Sequence, residues 1–234
     1  MPDVPRPCIA HPELVRFKYP LPYLAQALKS QRKITIVAIG SSSTAGEGDI
    51  VPYPSRLQMA LRKQFPDRMI DVLNRGIGGQ EAPSELPRFE TDVFVEAPTL
   101  VIWQVGTNAV FRKEEFDLGA VGASIATGLG WLGRLATDVL LMDLQFAPAI
   151  VGDAKIKFSE EMVARIAEAA AKANVDVFRR FALMRRWTEG DRIPLKDLID
   201  PTDPDKLHQS EWGTTCVTQA LAGAIIEAVG PVTA

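Results

Sequence analysis

Apolar residues occur in five short runs along the chain, and longer amphipathic stretches separate these runs. The runs that we predict as strands are 34–39, 69–74, 100–105, 139–144 and 175–178. They are rich in Val, Ile and Leu, which is typical of strands whose two faces are both buried in a parallel sheet. Glycine follows three of the runs, at Gly40, Gly76 and Gly106, so a turn is predicted after each of these strands.

The stretches between the strands carry apolar residues at helical spacing, and we predict helices at 23–28, 55–64, 83–95, 116–135, 159–173 and 213–229. Ser159 is predicted as an N-cap, because its hydroxyl can accept a hydrogen bond from a free backbone N–H. The uncharged, glycine-rich stretch 118–133 is too short to span a membrane and is interpreted as a helix packed closely on the sheet. The polar stretch 188–206 contains three prolines and is predicted to be a long loop.

Strands that alternate with helices in this way predict right-handed βαβ units and a sheet covered by helices on both faces. We therefore predict an α/β fold, a three-layer α/β/α sandwich with a five-stranded parallel sheet. Residues 31–234 are expected to form a single domain. Residues 1–30 are predicted to form an N-terminal arm packed on that domain, because they are rich in proline: Pro2, Pro5, Pro7, Pro12, Pro20 and Pro22.

Composition and charge narrow the classes of function. The 234 residues are 47% hydrophobic, enough for one sizeable core, and the formal net charge is -3. A charge this small argues against a polyanionic partner such as nucleic acid. The basic cluster is interpreted as a solvated face; it consists of Arg179, Arg180, Arg185 and Arg186. The N-terminus lacks a basic segment followed by an apolar one, so no secretory signal is predicted.

The two cysteines, Cys8 and Cys216, lie near opposite ends of the sequence. With only two histidines, far apart in sequence, they predict no metal site, and no organic cofactor is implied. Two alternatives stay open: a pair of free buried thiols, or a disulfide that fastens the arm to the last helix. A disulfide would favour an exported, periplasmic location over a cytoplasmic one, because disulfides persist in oxidising compartments.

Candidate chemical groups lie at the predicted carboxyl ends of the strands, where parallel sheets bind their ligands. Ser42 follows the first strand, Gly79 the second and Asn108 the third, and His208 lies in the long loop after the fifth. Since the other histidine, His11, lies in the arm, imidazole chemistry is assigned to His208.

These groups match the requirements of acyl transfer, which needs a nucleophile, a base, a group that orients the base, and oxyanion donors. We predict Ser42 as nucleophile, His208 as base and Asp205 as the orienting acid. The predicted oxyanion donors are the backbone N–H groups of Ser42 and Gly79 and the side-chain amide of Asn108. Ser43 is a competing nucleophile. Asp203 and Asp200 are competing acids, which are separated from the histidine by Pro204 and, for Asp200, also by Pro201.

Four short blocks resemble those of the SGNH (GDSL-type) hydrolases, in the same order. They are Gly40-Ser41-Ser42, Asn74 to Gly79, Gly106-Thr107-Asn108-Ala109, and Asp205-Lys206-Leu207-His208 followed by Trp212-Gly213. The sequence departs from the family at Ser41 and Ala109, where aspartate is usual, so support around Ser42 and Asn108 must be arranged differently.

The resemblance implies a flavodoxin-like topology and a serine esterase that acts on carboxylic esters, either short-chain or carbohydrate O-acyl esters, without a cofactor. Its partner would be a small-molecule or carbohydrate ester, and nothing in the sequence indicates the oligomeric state. An O-acyltransferase with the same triad is the alternative within catalysis. A nucleotide- or phosphate-binding module is the alternative from another class, although Glu81 follows the glycine cluster 76–79 and would repel a phosphate.

Overall fold

The computed structural model describes residues 6–231, in which five parallel strands form one sheet in the order β2-β1-β3-β4-β5. The strands are β1 (Lys33–Gly40), β2 (Met69–Gly76), β3 (Leu100–Gln104), β4 (Asp138–Met142) and β5 (Asp176–Phe178). This is the flavodoxin-like strand order, in which the direction of strand addition across the sheet reverses between β1 and β3. The predicted α/β fold and its five-stranded parallel sheet are confirmed.

Twelve helices are numbered along the described part of the chain. They are α1 (Pro12–Val15), α2 (Pro22–Ser30), α3 (Ser42–Ala45), α4 (Tyr53–Gln64), α5 (Ala82–Glu85), α6 (Phe89–Asp92), α7 (Thr107–Phe111), α8 (Leu118–Leu132), α9 (Pro148–Val151), α10 (Ile156–Ala173), α11 (Arg180–Glu189) and α12 (Glu211–Val229). Helix α12 packs on α2 and α4, and α10 packs on α8, so helices form the two outer layers. Within residues 6–231, no helix has the length and apolar character needed to cross a membrane.

The glycine-rich helix α8 packs closely on the sheet, as predicted. All residues of β3 are buried, and the Trp103 ring lies directly under Gly128 of α8. A Cβ atom at Gly128 would lie 2.5 Å from that ring, a distance that no side chain tolerates. Glycine therefore allows the helix to approach the sheet closely enough to cover the tryptophan.

Two helix predictions are wrong in detail. The predicted helix 83–95 is broken into α5, a 3-10 turn at Leu86–Arg88, α6 and a second 3-10 turn at Phe94–Glu96. Pro87 explains the break, because proline has no N–H and its ring clashes with the preceding helical turn. Ser159 is not an N-cap: α10 begins three residues earlier, and the Ser159 hydroxyl donates to the Ile150 carbonyl at 2.7 Å.

The basic cluster is not simply a solvated face. Three of its four residues lie in α11, a helix that the sequence patterns did not predict, and Arg179 directly precedes that helix. Arg180 is buried at 1% exposure. The Arg180 guanidinium is held by the Asp143 carbonyl at 3.1 Å and by the Gln145 side chain at 2.8 Å. The predicted loop 188–206 also contains a 3-10 turn at Leu195–Leu198.

A disulfide joins Cys8 to Cys216 with a Cα–Cα distance of 5.2 Å, which confirms the bridged alternative over two free thiols. The arm is also held by two indole N–H groups, since Trp187 donates to the Ile9 carbonyl at 2.9 Å and Trp212 to the Arg6 carbonyl at 2.8 Å. Pro2 and Pro5 of the predicted arm lie outside the described residues. The boundary between arm and domain at residue 30 stays a prediction, since α2 contributes buried Leu24 and Leu28 to the common core.

Candidate active site

Ser42 is the first residue of α3, in a sharp turn directly after β1. Two glycines permit this turn, because a Cβ atom at Gly76 would lie 2.1 Å from the Ala45 nitrogen and one at Gly40 would lie 2.9 Å from the Gln104 side chain. Gln104 of β3 accepts from both the N–H and the hydroxyl of Ser41, at 3.0 and 2.9 Å. The neutral Ser41–Gln104 pair thus supports the turn at the position where the GDSL-type hydrolases carry an aspartate.

The Ser42 hydroxyl lies 2.9 Å from Nε2 of His208, so the structure brings the predicted nucleophile and base into hydrogen-bond contact. The two residues are 166 positions apart in sequence and meet at the carboxyl edge of the sheet. The competing serine, Ser43, turns its hydroxyl away and donates to the Gln145 side chain at 3.2 Å. The other histidine, His11, contacts Asp191 at 2.6 Å in the N-terminal arm.

Asp203, not Asp205, contacts the histidine ring, and the prediction of Asp205 is wrong. Oδ2 of Asp203 lies 3.1 Å from Nδ1 of His208, whereas Asp205 is exposed and contributes only its backbone N–H to Asp203. The reason is backbone geometry. Lys206 adopts a left-handed conformation with φ 54°, which folds the chain back over Asp203 despite the intervening Pro204.

Backbone N–H groups surround the Asp203 carboxylate and fix it. Its oxygens accept from Leu207 and His208, both at 2.7 Å, and from Asp205 at 3.1 Å. Burial alone would raise the pKa of Asp203, but these N–H bonds and the nearby imidazole outweigh it and leave the pKa below its usual range. The group beside the imidazole is therefore a carboxylate that stays ionised.

The glycine segment after β2 lies against the nucleophile. A Cβ atom at Gly78 would be 3.9 Å from Cβ of Ser42. Gly79 has a left-handed φ of 76°, and its carbonyl accepts from the Arg112 guanidinium. Among the hydrogen bonds of residues 6–231, none uses the N–H of Gly79, and the N–H of Ser42 has no partner within its helix.

Asn108 lies in α7 after β3 and is 4% exposed. Its amide nitrogen donates to the Gln80 carbonyl at 2.9 Å, so the side chain is anchored beside the glycine segment. An amide nitrogen has two protons, and this bond uses one of them. The oxyanion roles of Ser42, Gly79 and Asn108 stay a prediction that this arrangement permits.

Glu81 is a further residue of the site, whose part in it the sequence patterns did not predict. Its carboxylate is buried and accepts the N–H groups of Gly106 at 2.8 Å and Ala109 at 3.1 Å. Burial raises the pKa of Glu81, although these N–H bonds counteract the rise. The turn that carries Asn108 is therefore held by a glutamate from another segment, in place of the family aspartate at position 109.

A small cleft of about 30 Å³ opens at the Ser42–His208 pair. Besides these two residues, its lining includes the polar side chains of Glu47 and Gln209. Among residues 6–231, no group of three His, Cys, Asp or Glu side chains is arranged to hold a metal ion.

The fold is similar to those of several solved esterases and hydrolases. A catalytic mutant of Axe2, an acetylxylan esterase from Geobacillus stearothermophilus, has a TM-score of 0.69 and 20% identity over 84% of this chain and 94% of its own. LAE5, an alpha/beta hydrolase enzyme from the metagenome of Lake Arreo in Spain, has a TM-score of 0.68 and 19% identity over 86% and 97% of the two chains. At these identities, the likeness establishes the fold.

One curated relative and one family profile match the sequence itself. The chain is 37% identical over 75 residues to the uncharacterized lipoprotein YqeF of Bacillus subtilis, a match that spans 31% of this chain and 31% of that protein. The profile of the Non-GDSL lipase-like family matches residues 7–231. This family is distinct from the GDSL-type enzymes, in agreement with Ser41, which stands where those enzymes carry aspartate. The chain therefore belongs to the Non-GDSL lipase-like family.

Proposed function

We propose that this protein is a serine ester hydrolase that works through an acyl-enzyme, as its family membership favours. The observation that carries the proposal is the chain of contacts from Ser42 to His208 at 2.9 Å and from His208 to Asp203 at 3.1 Å. A serine hydroxyl is a weak nucleophile unless an oriented base takes its proton. The site thus follows the SGNH arrangement in its roles, without the GDSL form of the first block.

In the proposed acylation step, Nε2 of His208 takes the hydroxyl proton as Ser42 attacks the ester carbonyl. The imidazolium that forms is stabilised by Asp203, whose carboxylate stays ionised and fixes the Nδ1–H tautomer. His208 then gives its proton to the departing alcohol. Water attacks the acyl-enzyme by the reverse sequence, with His208 again as base, and releases the carboxylic acid and free Ser42.

The negative charge that develops on the carbonyl oxygen needs hydrogen-bond donors that are already in place. We propose the N–H groups of Ser42 and Gly79 and the second amide proton of Asn108 for this role. The amide of Asn108 is held before substrate arrives by its hydrogen bond to the Gln80 carbonyl and by the bond from the Ala109 N–H to the Glu81 carboxylate. The donors would therefore need little rearrangement during the reaction.

We further propose short-chain esters of carbohydrates or other polar alcohols as substrates. The cleft at Ser42 is small, about 30 Å³, so it offers no space for a long acyl chain, and Glu47 and Gln209 at its lining suit hydroxyl groups of the alcohol portion. The acetylxylan esterases with the same fold act on substrates of this class. Transfer of the acyl group to an alcohol would use the same acyl-enzyme, but no residue of the site favours it over hydrolysis.

We also propose that the protein works outside the cytoplasm. The Cys8–Cys216 disulfide is the type of bond that persists in oxidising compartments, and the partial match to a lipoprotein points the same way.

The nucleophile is tested by Ser42→Ala, which should lower kcat for p-nitrophenyl acetate by about 10⁴ to 10⁶ because no acyl-enzyme can form. A serine-directed fluorophosphonate should label the wild type at Ser42, as located by peptide mass spectrometry. Ser43→Ala should still be labelled at Ser42, and Ser30→Ala, a remote surface change, should retain full activity. More than a tenth of wild-type activity in folded Ser42→Ala would contradict the assignment.

A further inference from the structure

Gln145, just beyond β4, lies beneath the proposed active site with its side chain fully buried. Its Oε1 accepts from the Ser43 hydroxyl at 3.2 Å and from the Thr107 hydroxyl at 2.9 Å. Its Nε2 lies 3.3 Å from the Leu207 carbonyl and donates to it. One amide therefore contacts three segments that are far apart in sequence.

Each of these three segments carries a group of the proposed site. The partners of Gln145 are the immediate sequence neighbours of those groups, in the pairs Ser42 and Ser43, Thr107 and Asn108, and Leu207 and His208. A shift of the amide would therefore move Ser42, the turn that carries Asn108 (the oxyanion turn) and His208 relative to one another. Gln145 itself makes no hydrogen bond to Ser42, Asn108 or the His208 ring.

A buried arginine fixes the orientation of this amide. Arg180 donates to Oε1 of Gln145 at 2.8 Å, and its Nε donates to the Asp143 carbonyl at 3.1 Å. Because guanidinium can only donate, the amide oxygen must face it, and the nitrogen is then left to face the Leu207 carbonyl. The network has one consistent arrangement of donors and acceptors.

No other side chain of similar size reproduces these bonds. Glutamate supplies the oxygen for Arg180 and the two hydroxyls, but it would direct a second oxygen at the Leu207 carbonyl. Methionine fills the volume and supplies neither a strong acceptor nor a donor. We propose that Gln145 is a positioning residue. It holds Ser42, the oxyanion turn and the loop of Asp203 and His208 at fixed distances from one another, a role that rests on the proposed esterase function.

The test compares Gln145→Met and Gln145→Glu with the wild type, using p-nitrophenyl acetate and rates normalised to the fraction of sites labelled by fluorophosphonate. We expect kcat to fall about 10- to 100-fold for Gln145→Met with KM changed less than about threefold, since a misplacement of groups by about an ångström can cost about 100-fold. Gln145→Glu should remain folded, because its carboxylate pairs with Arg180. Its kcat should still fall, because its second oxygen cannot donate to the Leu207 carbonyl and repels it. It also covers the case in which the methionine variant does not fold.

The matched control is Thr137→Val, which removes a buried hydroxyl at the opposite end of β4, where it donates to the Asp138 carbonyl. It should keep wild-type kcat per labelled site. Full kcat per site in both Gln145 variants would overturn the positioning role, and so would an equal loss in Thr137→Val. Failure of the proposed function is a separate result, because it would appear as activity in Ser42→Ala.

Discussion

At the proposed site, the carboxylate beside His208 belongs to Asp203 and not to the residue that the sequence spacing favours. Asp205 has the usual separation from His208, yet its side chain is exposed, and Asp203 fills the position at Nδ1. A single left-handed residue, Lys206, decides between them by folding the loop back. Backbone conformation at that position is a tertiary property, so the sequence could limit the choice to neighbouring aspartates and could not complete it.

Asp203→Asn should reduce kcat for p-nitrophenyl acetate by about 10⁴, because an amide would donate toward Nδ1 and favour the wrong imidazole tautomer. Asp205→Asn should stay within about threefold of the wild type, since its side chain contacts no group of the site. Circular dichroism would verify that both variants are folded. The opposite order of the two activities would return the role to Asp205.

At the scale of elements, the predictions succeeded where apolar periodicity is strong and failed where tertiary contacts decide. The five strands and α12 follow from their apolar patterns, and the strand-end positions of Ser42, Gly79, Asn108 and His208 follow from the geometry of parallel sheets. The network around Arg180 and Gln145 was missed because it depends on partners from separate segments. Likewise, Glu81 in the sequence is an ordinary acidic residue after a turn.

The short helix α5 contains a fully buried carboxyl group, that of Glu85, which lies close to the buried carboxyl group of Glu81. Burial and then the charge of Glu81 hold the pKa of Glu85 well above its usual range, and Trp103 donates to one of its oxygens at 2.6 Å. Within the described residues, the other oxygen has no partner. The folded protein thus resists ionisation of Glu85, whereas the unfolded chain ionises it at the ordinary pKa.

Glu85→Gln should therefore change how stability depends on pH. In the wild type, an acid with a raised folded-state pKa loses stabilising effect as the pH rises above its unfolded pKa, and the loss ends only at the folded pKa. The glutamine variant lacks this loss, so its free energy of unfolding relative to the wild type should increase from pH 5 to pH 8. Urea unfolding at both pH values measures it. If the difference in unfolding free energy between the variant and the wild type did not change with pH, the raised pKa of Glu85 would be contradicted.

For the whole molecule, the disulfide is the main covalent constraint besides the chain itself. It closes a loop with a sequence separation of 208 residues and fastens the arm beside α12. Closing a long loop restricts the unfolded chain more than the folded one, and by the chain-entropy relation the stabilisation reaches about 5 kcal/mol for a loop of this length.

The double variant Cys8→Ser, Cys216→Ser should lose about 2 to 5 kcal/mol of unfolding free energy while keeping kcat per folded molecule, because neither sulfur belongs to the proposed site. Urea unfolding with and without dithiothreitol measures the effect. The reductant should destabilise the wild type and leave the double variant unchanged. A wild type that is equally stable with and without reductant would show that the bridge does not contribute.

The connectivity of this bridge also has a consequence for biosynthesis. Cys8 emerges from the ribosome 208 residues before Cys216, and the 234 residues contain no third cysteine. Within these 234 residues, oxidation inside one molecule can therefore give only the Cys8–Cys216 pair. For a protein of these 234 residues, an oxidant alone should suffice to form the bridge, and adding a disulfide isomerase should leave the yield of oxidised protein unchanged.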